Sequence, residues 1–150
     1  MLKPALIAAA LIAATGAHAQ KADEYRAIAS SDEAVIMAST VVTGPQNARR
    51  LTEALVRRSQ SDNGADAYLL NVTLDCGAGT LTIGKVDVYQ GTEIVRQIDA
   101  PEDGTSTPTA GSMAEVVLIY GCTGKTEETD PGRPVGIPAA ITYALKLQGR

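Results

Sequence analysis

Apolar and polar residues alternate most cleanly between Tyr68 and Cys76. Tyr68, Leu70, Val72, Leu74 and Cys76 share one parity, and Leu69, Asn71, Thr73 and Asp75 share the other. A period of two with one apolar side predicts a half-buried strand with Cys76 on its apolar face. Gly77-Ala78-Gly79 turns the chain, and Thr80 to Tyr89 predicts the next strand. Its apolar phase is Leu81 and Ile83 before Gly84 but Val86 and Val88 after it, a flip that predicts a bulge at Gly84. Gln90-Gly91 makes a further turn, and Thr92 to Ile98 predicts another strand. Upstream, Glu33 to Thr43 predicts a strand closed by the Gly44-Pro45 turn, and Ser61-Asp62-Asn63-Gly64 marks a turn because Asn-Gly tolerates positive φ. Strands at this spacing describe an antiparallel meander.

Other segments read less simply. Arg49 to Ser59 fits two periods: Leu51, Ala54, Leu55 and Arg58 have helical spacing, whereas Leu51, Glu53, Leu55 and Arg57 alternate as on a strand. Ser112-Met113-Ala114-Glu115 is a capping box, which predicts a helix from Met113 to about Gly121 despite the strand propensity of Val116 to Tyr120. Ile137 to Leu147 is open between a helix with Pro138 in its first turn and a strand alternating Ile141, Tyr143 and Leu145. Residues 20–31 read as a polar arm, 101–111 as a loop, and 123–136 as a charged Gly/Pro linker before a closing segment at 137–150.

The first nineteen residues follow a pattern of their own. Lys3 precedes an unbroken apolar run from Ala5 to Ala14, and Ala17-His18-Ala19 supplies the small-x-small site of a signal peptidase. The run is shorter than the roughly 20 residues of a spanning helix. Residues 1–19 are therefore expected to be a secretory signal peptide cleaved between Ala19 and Gln20, delivering the product to the periplasm or the medium. Gln20 stands where a lipoprotein would carry its lipid-accepting cysteine, so neither a lipid anchor nor a membrane span is expected.

Composition refines this picture. Five Tyr supply every aromatic ring, with no Phe and no Trp, so the core must rest on Val, Ile, Leu, Ala and Tyr, which favours sheet. The formal charge of −4 argues against general nucleic-acid binding. Two cysteines, Cys76 and Cys122, are expected to pair in an exported chain. In the chain-entropy view, closing a loop of roughly 45 residues contributes roughly 4 kcal/mol. The rival, a reactive thiol pair, usually has Cys-x-x-Cys spacing.

Little catalytic chemistry survives inspection. The sole His is His18, inside the expected leader, so the mature chain has no imidazole for a Ser-His-Asp or Cys-His centre or a His-bearing zinc site. Asp99, Glu102 and Asp103, and then Glu127, Glu128 and Asp130, form acidic clusters without EF-hand spacing, and read as solvated charge. Gly77-Ala78-Gly79-Thr80 begins like a dinucleotide fingerprint but is flanked by strands, which makes it a hairpin turn. Asn71-Val72-Thr73 matches a glycosylation sequon and reads as accidental in a bacterial strand. No catalytic residue, metal ligand or cofactor is expected.

Leu74-Asp75-Cys76, the following Thr80-Leu81-Thr82-Ile83, then Val88-Tyr89-Gln90-Gly91, and finally Gly111-Ser112 opening an apolar segment that ends in Cys122, occur in this order. The order resembles the surface-adhesin protein E-like family of Gram-negative bacteria, over roughly residues 33–124. The resemblance implies an α+β fold: a small antiparallel β-sheet meander with a short C-terminal helix tethered to the sheet by a disulfide, spanning residues 32–122. It also implies that Arg50 to Arg57 is a strand. It carries over no ligand-contacting residue. Arg49, Arg50, Arg57 and Arg58 form the best candidate contact strip, for a protein or for an anionic glycan or lipid. The plainer account is edge-strand charge that discourages aggregation. The leading expectation is an exported, non-catalytic binding module of the bacterial envelope. The alternatives are a structural or housekeeping periplasmic protein and, behind it, an exported enzyme using carboxylates. The sequence does not set the oligomeric state.

Overall fold

The structure, a computed structural model, describes residues 23–61, 63–128 and 132–150. The expected leader, its cleavage point at Ala19 and Gln20, and Asp130 lie outside the described residues. The fold is α+β. Six strands follow one another in chain order across an antiparallel sheet: β1 Tyr25–Ser30, β2 Ala34–Ser39, β3 Arg49–Arg57, β4 Ala67–Asp75, β5 Thr80–Gln90 and β6 Glu93–Ile98. A two-residue strand, β7 (Thr105–Ser106), pairs with Leu81 and Thr82 of β5. Two helices, α1 Met113–Thr123 and α2 Ile137–Leu147, complete the domain.

The helices cover opposite faces. On one face α1 lays Val117 and Tyr120 over Ile36, Leu51, Val72, Leu74 and Leu81. On the other, α2 lays Ala140, Ile141 and Ala144 over Tyr25, Val35, Met37, Ala54 and Val56. The small alanines let α2 approach closely, and the Tyr25 hydroxyl, under it, shares a 2.8 Å hydrogen bond with that of Thr52. Because both faces are covered, every residue of β2 is buried, and Ala34 to Ala38 form a continuous apolar run rather than an alternation. Burying a side chain such as Ile141 contributes about 1.5–3 kcal/mol.

Several expectations meet their structural cause here. The bulge falls at Gly84-Lys85, where two residues of β5 oppose Asn71 alone. A Cβ on Gly84 would lie 3.1 Å from the Asn71 carbonyl oxygen, so the missing side chain suits the distortion. The capping box closes with one variation. Ser112 Oγ accepts from the Glu115 amide at 3.2 Å, while the Glu115 carboxylate accepts from the Gly111 amide at 2.6 Å, one residue before the usual partner. Cap and tertiary contacts outweigh the strand propensity of Val116 to Tyr120. Gly124, at φ 72°, ends α1 by donating its amide to the Tyr120 carbonyl.

Two readings need correction. Tyr25–Ser30 is not part of a loose arm. It is the edge strand β1, because Tyr25, Ala27 and Ile28 bury against the helices and only Arg26 and Ser30 dilute the pattern. Residues 49–57 are a strand in the middle of the sheet, between β2 and β4, so their arginines are not edge-strand charge. The closing segment resolves to a helix with Pro138 in its first turn.

The disulfide joins Cys76, just past β4, to Cys122 in the last turn of α1, with Cα atoms 5.7 Å apart. It thereby ties the helix end to the sheet. Gly121, beside it, has no room for a side chain: a Cβ would overlap Leu74 and come within 2.8 Å of Leu51. Sulfur bridge and glycine together hold the C-terminal turn of α1 directly on the sheet.

Candidate functional site

β3 separates the four arginines that the sequence groups together. At about 3.3 Å per residue, Arg49 and Arg50 lie roughly 26 and 23 Å from Arg57 along the strand. At the far end, Arg57 Nε donates to the Ser59 carbonyl at 3.3 Å and the Arg58 guanidinium to the Ser31 carbonyl at 3.1 Å. These two arginines therefore brace loops. Arg50 is exposed and sits on the face opposite Arg49. The strip does not form one contact surface.

Arg49 instead meets a residue that the sequence did not single out. Arg26 of β1 and Arg49 of β3 both line a cleft of about 460 Å³, together with Thr40, Val42 and the last turn of α1 from Tyr120 to Gly124. The Nε of each arginine is buried and has no hydrogen-bonding partner among the described residues. The ion pairs found among the described residues involve other groups. Among the described residues, no carboxylate lines the cleft. Guanidinium stays charged at any relevant pH, so the cleft carries two positive charges.

The roof of the cleft is polar in a directional way. Tyr120 donates its hydroxyl to the Ser39 carbonyl at 3.2 Å. Burial pushes this phenol up, and the charges of Arg26 and Arg133 only partly offset it, so it stays protonated. The Ile119 carbonyl accepts from the Thr123 hydroxyl and the Tyr120 carbonyl from the Gly124 amide. The later carbonyls of the turn face outward from the helix end, where the macrodipole is negative. α1 has no basic residue in its last turn, so the sheet arginines supply the cations at that end. On the far side of Arg26, a larger groove of about 990 Å³ between α1 and β1 carries Glu115, Lys125, Glu127 and Glu128. Arg26 and Gly124 border this groove as well as the cleft.

A second group went unremarked in the sequence. Glu53 is only 7% exposed, and one of its carboxylate oxygens is buried without a partner. Its cross-strand neighbours are Ala38 and Leu70. Burial pushes its pKa up to about 7. The signal was present: on the strand reading, Glu53 shares its parity with Leu51 and Leu55, and so points into the α1 core. A carboxyl poised near neutrality suits proton transfer. Glu53, however, lines neither cavity. Arg26 lies in the same cross-strand row, beyond Ala38, about 10 Å away at the usual strand spacing.

The remaining candidates take structural roles. Cys76 and Cys122 are joined and no free cysteine remains among the described residues. Gly77 and Ala78 donate their amides to Asp75 Oδ1 in the hairpin turn. Asn71 donates its side-chain amide to the Lys85 carbonyl across the bulge. Asp99, Glu102 and Asp103 follow β6 on the surface, and no group of three or more metal-ligating side chains occurs among the described residues. No helix among them is long and apolar enough to cross a membrane. Comparison with protein-family models, with curated proteins and with solved structures returns no match for this chain.

Proposed function

We propose that this protein is an exported, non-catalytic binding module of the bacterial envelope, and that it binds through the cleft beneath the end of α1. The observation that carries the reading is the pair of arginines, Arg26 and Arg49, that line one opening with no carboxylate among the described residues beside them. Two cations held at one opening favour an anionic ligand there. The leader-like pattern of residues 1–19 supports export, and the Cys76–Cys122 bridge is compatible with an oxidising compartment. The layout of sheet, helix and disulfide agrees with what the resemblance to surface-adhesin protein E-like proteins implies, and a surface role would follow from it.

The test has two parts. Osmotic-shock fluid or culture medium should contain protein that begins at Gln20 with both sulfurs oxidised. Immobilised wild-type protein should then retain an envelope component that the Arg26→Gln/Arg49→Gln double variant does not. Equal retention by a correctly folded double variant, or a leader still attached in the cytosol, refutes the reading.

A further inference from the structure

We propose that the cleft takes a phosphomonoester of a small hydroxylated molecule, with the phosphate on Arg26 and Arg49 and the hydroxylated body under the end of α1. The inference rests on the binding reading above and gives it a ligand class. Three observations lead to it.

The first is charge. Two guanidiniums line the cleft and, among the described residues, no carboxylate does. A phosphomonoester carries about −1.5 to −2 at pH 7 and offers three acceptor oxygens. A carboxylate carries one charge and two oxygens. Two guanidiniums from different strands match the dianion better, because its three oxygens let both engage it at once, sharing one oxygen.

The second is size. The cleft measures about 460 Å³. A water molecule in the liquid occupies about 30 Å³, so a bare oxyanion would leave most of the space unfilled. The cleft therefore has room for an organic body beside the anion.

The third is polarity across the cleft. The arginines rise from the sheet, whereas the opposite wall is the C-terminal turn of α1, whose carbonyls present the negative end of the helix dipole. An anion placed against that wall is repelled. Hydroxyl groups placed there donate to the exposed carbonyls of the turn. The two walls thus ask for an acceptor-rich dianion at one end of the ligand and hydrogen-bond donors at the other. Val42, Tyr120 and Cys122 supply the apolar contacts, too few for a long hydrocarbon chain inside the cleft.

Isothermal titration calorimetry on the oxidised mature protein tests this with glycerol 3-phosphate, inorganic phosphate and acetate as probes. Glycerol 3-phosphate should bind one to one and at least tenfold more tightly than inorganic phosphate, and acetate should give no saturable heat. Affinity should fall as pH drops through about 6, where the dianion takes up a proton. Arg26→Gln and Arg49→Gln should each weaken binding at least tenfold. Arg50→Gln removes the same charge from the opposite face and should change affinity less than twofold. Sedimentation with phosphatidic acid vesicles against phosphatidylcholine vesicles separates a free ester from a lipid headgroup. Capture by the former alone, lost in both cleft variants, places the phosphomonoester on a lipid and supports the proposal.

No saturable binding of glycerol 3-phosphate together with no preference for phosphatidic acid overturns it, and that result needs only the wild-type protein. Equal affinity for inorganic phosphate and the ester overturns the role given to the body. Envelope retention that depends on Arg26 and Arg49, without any phosphomonoester binding, refutes the ligand class and leaves the binding reading standing. Loss of both removes the two together.

Discussion

Glu53 makes the fold less stable as pH rises, and the size of the effect follows from its position. In the unfolded chain its carboxyl titrates near 4.5, and in the fold near 7, because burial between Ala38 and Leu70 opposes the charged form. The folded state therefore holds more protons than the unfolded state between those values, and stability declines as pH increases through that window. Full stability is present below 4.5 and the loss is complete above about 7. At 1.36 kcal/mol per pH unit, ionising Glu53 in place costs about 3 kcal/mol. That is a large part of the roughly 5–15 kcal/mol typical of a domain. Glu53→Leu replaces the carboxyl with an apolar side chain in an apolar setting, and Glu53→Gln removes the ionisation alone. Urea unfolding followed by far-UV circular dichroism at pH 4.5 and pH 8 measures both. With a slope of about 1–3 kcal/mol per molar urea, the wild-type midpoint should fall by roughly 1–3 M between the two pH values. Glu53→Leu should show little decline and should exceed the wild type at pH 8. The burial argument fails if wild type and Glu53→Leu decline in parallel, or if Glu53→Leu is the less stable protein at pH 8. Asp66 does not confuse the result, because its linked change falls below the unfolded value of 3.8.

Three further outcomes are expected. Replacing Cys76 and Cys122 by Ala should lower stability by about 4 kcal/mol for the sequence separation of 46, read as a drop in the urea midpoint against oxidised wild type. Gly121→Ala should cost about 1–3 kcal/mol, because the new methyl overlaps Leu74 and crowds Leu51. It should also lift the helix end and weaken ligand binding in the cleft, which calorimetry would detect. Arg150→Ala should cost about 1–3 kcal/mol by removing a 2.7 Å partner from buried Asp66. Burial alone would raise the Asp66 pKa, but hydrogen bonds from Gly91, Arg150 and Gln60, together with the Arg150 charge, hold it below its usual value. Its contribution is therefore present above the unfolded carboxyl value and lost on acidification through the folded one. Arg150→Ala should flatten the acid limb of the stability curve.

Local physics made part of this fold legible. Alternation from Tyr68 to Cys76 needs no distant partner to be recognised, and neither do the Gly84 phase flip or the hydrogen-bonding pair Ser112 and Glu115. Each is decided within a few residues by side-chain period, backbone freedom or a cap. The cleft was only half visible. Arg49 stood out as a charge, but it was grouped with Arg57 and Arg58, which lie at the far end of the same strand. Arg26 was lost in a segment that looks polar because its small buried alanines contribute little hydrophobic signal.

The sequence by itself determined the antiparallel meander, its turns and bulge, the capped helix and the pairing of Cys76 with Cys122, because each follows from short-range pattern or from there being two cysteines to join. Only the tertiary structure decided that Tyr25–Ser30 is a strand, that Arg49–Arg57 lies in the middle of the sheet, that Ile137–Leu147 is a helix, that Glu53 is buried, and that Arg26 and Arg49 share one cleft. Those outcomes depend on which faces the two helices cover and on which strands lie between, and such long-range packing leaves no period in the residues it brings together.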